Sequence, residues 1–141
     1  MKLSLVVPCF NEAENVANFQ QEAMRAFSDC GYQYEIVFVD DGSTDSTMHE
    51  LRKLYSQQCC PVKVISLSRN FGKEAAIFAG IQHATGDYIC LIDADLQQHP
   101  EMARQMVCIL DEDTQYDVVA AYQDRRNEGK VLSFFKKDSI N

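Results

Sequence analysis

Five short runs of apolar and β-branched residues, at 3–7, 35–39, 62–67, 88–92 and 118–122, alternate with four stretches whose apolar side chains recur at helical spacing. This alternation constrains the chain more than any other feature. The runs are too apolar for hairpin strands with one face in water, so both faces of the sheet they form must be covered. The intervening stretches supply the cover: Val16, Phe19, Ala23 and Phe27 mark the first helix, and Met48, Leu51 and Tyr55 the second. Ala76, Phe78, Ala79 and Ile81 lie within a third at 73–83, and Pro100, suited to a first helical turn, opens a fourth that runs to Leu110. Strand and helix in strict alternation imply right-handed crossovers and a mainly parallel sheet with helices on both faces, an α/β fold. The sheet is expected to stop after the fifth strand, as in a piece of a longer chain. No repeat, low-complexity tract or linker divides residues 1–141, which read as one domain.

A chain of 141 residues with 46% apolar content can bury a core without disulfide or metal staples. Its formal charge of −8 sets the overall field against a nucleic-acid surface, and nucleic acid is discounted as a partner. The apolar run at 3–7 is too short for a bilayer span or a signal-peptide core, so these residues are expected to be soluble and unsecreted. The six cysteines form no CxxC pair and are expected as free thiols in a reducing compartment. The segment 124–141 differs from the rest, gathering Arg125, Arg126, Lys130, Lys136 and Lys137. A charge run of this kind is either a solvated tail or a surface that meets anions.

Ligands of open α/β sheets bind outside the carboxyl ends of the strands. Three such ends are acidic here: Glu12 follows the first, Asp40, Asp41 and Asp45 the second, and Asp93 and Asp95 the fourth. Carboxylates gathered on one rim repel one another, and a divalent cation with oxygen ligands relieves that repulsion most readily. Gln97 can add a neutral carbonyl oxygen beside Asp95. Each feature has a plainer reading: 41–45 as a turn with Ser43 or Thr44 capping the next helix, the DxD as a solvated loop. Two adjacent aspartates at a buried strand end favour function. His49, His83 and His99 lack ligand spacing. Neither GxGxxG nor a GxxxxGK[ST] phosphate loop is present.

Four segments in order, Val6 to Asn15, Val39 to Asp45, Leu67 to Lys73, and Ala84-Thr85-Gly86-Asp87 through Asp93-Ala94-Asp95-Leu96-Gln97 to Glu101, resemble the inverting family 2 glycosyltransferases. The similarity is closest to the branch that makes dolichyl-phosphate mannose and bacterial undecaprenyl-phosphate sugars. The resemblance implies a GT-A fold, a UDP- or GDP-linked sugar donor, Mg²⁺ or Mn²⁺, and a polyprenyl-phosphate acceptor at the cytoplasmic face of a membrane reached through further chain. Homo-oligomers are compatible with it.

Carried over residue by residue, the resemblance puts Pro8, Phe10 and Glu12 around the nucleoside and Val39 and Asp41 at the base. Asp93, Ala94 and Asp95 then face the sugar diphosphate, Asp93 as the catalytic carboxylate, and Asp95 with Gln97 hold the metal. Family members usually carry Tyr at the position of Phe10, so ring packing survives here without the hydroxyl. Many also carry Arg after a Gly-Ser/Thr step at the fifth strand, where this chain reads Ala121-Tyr122-Gln123. Arg125 or Arg126 would then take over phosphate binding. A module that binds nucleotide-sugar without turnover is the alternative function.

Overall fold

The computed structural model describes residues 1–121 and 132–136. Its elements run β1 (Lys2–Cys9), α1 (Val16–Phe27), β2 (Gln33–Asp40), α2 (Thr47–Gln57), β3 (Val62–Ser66), α3 (Lys73–His83), β4 (Tyr88–Leu91), α4 (Pro100–Glu112), β5 (Val118–Ala121) and β6 (Leu132–Lys136). The six strands form one sheet in the order β3-β2-β1-β4-β6-β5. β1 pairs in parallel with both β2 and β4, and β2 pairs in parallel with β3. The fold is the expected mainly parallel α/β sheet with helices on both faces.

The sheet does not stop after the fifth strand. β6 inserts between β4 and β5 and runs antiparallel to both. It covers the edge of β4 that β1 leaves open, whose backbone donors and acceptors would otherwise lack partners. The basic segment is thereby split. Lys136 ends β6, whereas Arg125, Arg126, Lys130 and Lys137 lie outside the described residues.

Side-chain alternation along the strands builds two cores. On one face Leu3, Leu5, Val7, Ile36 and Phe38 pack with Val16, Phe19 and Ala23 of α1 and Ala103 and Val107 of α4. Phe19 meets Phe38 edge to face, with ring centroids 6.0 Å apart. On the other face Val6, Val37, Val39 and Ile89 meet Ala76 and Ala84. Helix α3 approaches this face through Gly80, where a Cβ would stand 2.4 Å from Val6 Cγ1. All six cysteines are free. Among the described residues no helix is long and apolar enough to cross a membrane.

The amino-terminal half of the sheet carries a buried charge. Glu35 is 2% exposed and pairs in the ladder with Ser4. Its carboxylate accepts hydrogen bonds from Ser4 Oγ at 2.7 Å and from the Thr85 N–H at 2.7 Å, and faces Lys2 Nζ and Lys63 Nζ at 3.2 Å each. Burial alone would raise its pKa, but hydrogen bonds from Ser4, Thr85 and Lys63 outweigh burial and hold it at about 2, against an ordinary 4.5. A carboxyl lowered on folding stabilises the protein above its unfolded pKa and loses that contribution as pH falls toward the folded one. Between pH 7 and pH 3 this single group should therefore forfeit about 2 kcal/mol. Urea unfolding of the wild type and Glu35→Gln at both pH values checks this: the stability gap between them should shrink at pH 3. A gap independent of pH would assign the effect to other carboxyls.

Candidate functional site

The strand order reverses at β1. Crossovers carry the chain from β1 outward to β2 and β3, and α3 then returns it to β4 on the other side of β1. This is the switch point at which open α/β sheets take their ligands. A cavity of about 150 Å³ opens there, lined by Pro8, Cys9, Phe10, Glu12, Asp41, Lys73 and Asp93.

The loops after β1 and β2 are laced together. Asn11, with φ 53°, turns its backbone in the left-handed region that asparagine tolerates better than most residues. Its amide oxygen accepts from the N–H groups of Thr44 at 2.9 Å and Asp45 at 3.3 Å, and its own N–H donates to Ser43 Oγ at 3.0 Å. The Glu12 N–H donates to Thr47 Oγ1 at 2.9 Å. Ser43 and Thr44 therefore bind the first loop instead of capping α2. At the start of that helix the Thr47 N–H donates to Asp45 Oδ1 at 2.9 Å.

Asp41 is buried, and its two carboxylate oxygens accept from the N–H groups of Phe71 at 2.8 Å and Gly72 at 3.1 Å. The carboxylate thus fixes the turn that leads into α3. Lys73, the first residue of α3, extends Nζ to 2.7 Å from Asp93 Oδ1. Cys9 also lines the cavity. Burial first, then the charges of Glu12, Asp40 and Asp93, push its thiol pKa upward, which favours the protonated form.

Beyond Asp93 the loop bends sharply at Leu96, a non-glycine residue at φ 60°. Such backbone persists only where surroundings over-determine it, and the Leu96 side chain is packed against the larger core. The Gln97 N–H donates to Asp95 Oδ1 at 3.2 Å. The loop therefore carries the Asp95 carboxylate and, two residues on, the Gln97 amide, two hard oxygen donors that flank the Leu96 kink in sequence. Among the described residues no group of three or more His, Cys, Asp or Glu is arranged to hold a metal. Two protein oxygens still fit Mg²⁺ or Mn²⁺, because such ions commonly take one or two protein ligands and complete their shell with substrate phosphates and water.

The structure gathers Pro8, Phe10, Glu12, Asp41 and Asp93 around one cavity and puts Asp95 and Gln97 on the adjoining loop. Val39 and Ala94 are 0% and 1% exposed and belong to the cores, so they support the site without lining it. Arg125 lies outside the described residues. Lys73 and Cys9 are the additions. Lys73 could have been suspected, because a lysine at a helix amino terminus opposes the helix dipole.

The doubly wound sheet with an acidic rim at its switch point is of the GT-A type, the fold shared by the solved structures it superposes on. The chain matches the model of glycosyl transferase family 2 over residues 4–137, and it belongs to that family. It is 38% identical over 131 residues to CsbB of Bacillus subtilis (strain 168), a provisionally named glycosyltransferase, covering 93% of this chain and 39% of that protein. Among solved structures, mannosyltransferase PcManGT from Pyrobaculum calidifontis, in complex with GDP-Man and Mn²⁺, superposes with a TM-score of 0.78 at 21% identity, over 98% of this chain and 45% of that one. TarS residues 1–349 from S. aureus, in complex with UDP, gives 0.71 at 25% identity, over 92% and 38% of the two chains.

Proposed function

We propose that residues 1–141 are the donor-side part of an inverting hexosyltransferase that moves a sugar from a UDP- or GDP-linked donor to a polyprenyl phosphate at the cytoplasmic face of a membrane. The observation that carries this reading is the convergence of Glu12, Asp41 and Asp93 on one cavity beside the Asp95–Gln97 loop. The neighbours bound to GDP-Man with Mn²⁺ and to UDP support the ligand class. The chain spans 39% of the length of CsbB and 45% of that of PcManGT.

In this reading the Phe10 ring, 46% exposed at the mouth, packs against the nucleoside, and Glu12 and Asp41 offer acceptors to its ribose and base. Asp93 faces the donor sugar, orienting it and easing the positive charge that develops on its ring. Asp95 and Gln97 would hold the divalent ion, which when bound neutralises charge on the departing diphosphate. Asp93 need not act as a strong base, because a phosphate-monoester acceptor, with its second pKa about 6, is already ionised at pH 7. Arg125, with Arg126, is assigned to phosphate on the acceptor or the donor side.

The test is transfer of labelled hexose from UDP- and GDP-sugars to a polyprenyl phosphate in detergent, using the longest natural chain that carries these residues. Lipid-linked product with inverted anomeric configuration is expected. Donor binding without any transfer would favour the non-catalytic nucleotide-sugar module, and transfer only to water or protein would overturn the acceptor assignment.

A further inference from the structure

Lys73 is the only cation among the described residues lining the cavity. Its position is costly on helical grounds, since the first residue of α3 sits at the positive end of the helix dipole, where acids are favoured. The fold nevertheless holds it there from two sides. Asp41 grips the N–H groups of Phe71 and Gly72. Gly42 lies so close beneath the same turn that a Cβ would come within 2.3 Å of the Asn70 nitrogen. The ammonium group consequently reaches Asp93 while the side chain stays 58% exposed. So exposed an ion pair is easily exchanged for another.

We propose that Lys73 is an exchangeable counter-ion for the donor. It pairs with Asp93 before the donor enters and moves to a phosphate oxygen of the donor diphosphate afterwards, releasing the Asp93 carboxylate to face the sugar. The inference rests on the donor-site reading above and adds the residue that reads phosphate content. Without Lys73, a diphosphate entering the cavity would meet Glu12, Asp41 and Asp93 with no cation among the described lining residues to offset them. A lysine suits the exchange because its charge is compact and rides on a flexible stem, with three donors free to turn. Toward Lys73, Asp41 has a second, positioning part, exerted through the 71–72 turn.

Calorimetric titration of this chain with uridine and guanosine and their mono- and diphosphates, in Mn²⁺ and separately in EDTA, tests the proposal on wild type, Lys73→Met and Lys73→Arg. Lys73→Met should lose about tenfold or more in diphosphate affinity in both media, the loss expected for a charge-assisted hydrogen bond. Nucleoside affinity should not change, and Lys73→Arg should recover part of the loss. Undiminished diphosphate binding by Lys73→Met would overturn the proposal, as would equal losses for nucleoside and diphosphate, which would mark a purely structural lysine. A wild type that binds none of these ligands would instead overturn the donor-site reading on which the proposal rests.

Discussion

Asp95→Asn should weaken nucleoside-diphosphate binding in Mn²⁺ by about a hundredfold and leave the fold intact. Asparagine keeps the side-chain oxygen that accepts from the Gln97 N–H, so the turn around Leu96 retains its local hydrogen bond. What disappears is a full negative charge beside a divalent ion. Near a protein surface a unit charge pair at 4 Å is worth about 4 kcal/mol, of which the amide oxygen returns part, and about 1.4 kcal/mol corresponds to each tenfold in affinity. Calorimetry with matched circular dichroism measures both quantities. A folded variant that binds as tightly as wild type in Mn²⁺ would remove Asp95 from the metal.

Gly42→Ala should cost about 2–5 kcal/mol of stability, from left-handed backbone strain and overpacking together. Gly42 has φ 67°, and the atoms facing it are backbone, not side chains that can swing aside: a Cβ would stand 2.3 Å from Asn70 N and 2.4 Å from the Arg69 carbonyl carbon. Either the 69–72 turn retreats or the Asp41 loop does. Both movements draw Lys73 away from Asp93, so nucleotide affinity should fall with stability. Urea unfolding and a nucleotide titration read the two effects. A variant within about 0.5 kcal/mol of wild type, the range of ordinary surface substitutions, would show that the two loops are not held in contact.

The parallel half of the sheet was legible because its signal is local. The apolar runs at 3–7 and 35–39 lie inside β1 (Lys2–Cys9) and β2 (Gln33–Asp40), and the stretch at 73–83 coincides with α3. β6 was not legible. Its five residues sit in a basic segment, and its place beside β4 is set by pairing with a strand far back in the sequence. The same division runs through the site. Glu12, Asp41, Asp93 and Asp95 announce themselves as acids after strand ends, whereas the Lys73–Asp93 pair joins residues that meet only because α3 recrosses the sheet. Val39 and Ala94 show the converse. The motif names them, but the alternation of Val37 and Val39 toward the α3 face turns Val39 into the core.

Titration of the wild-type chain with UDP and GDP, in excess Mn²⁺ and again in excess EDTA, tests the central claim most directly. The acidic cavity and the Asp95–Gln97 loop predict saturable binding of at least one of these nucleotides in Mn²⁺ and a large loss in EDTA. At a hundredfold excess over Kd the bound ligand should also stabilise the fold by about 2.7 kcal/mol. No binding in either medium, or equal affinity in both, would contradict a metal-assisted donor site at the carboxyl ends of β1, β2 and β4.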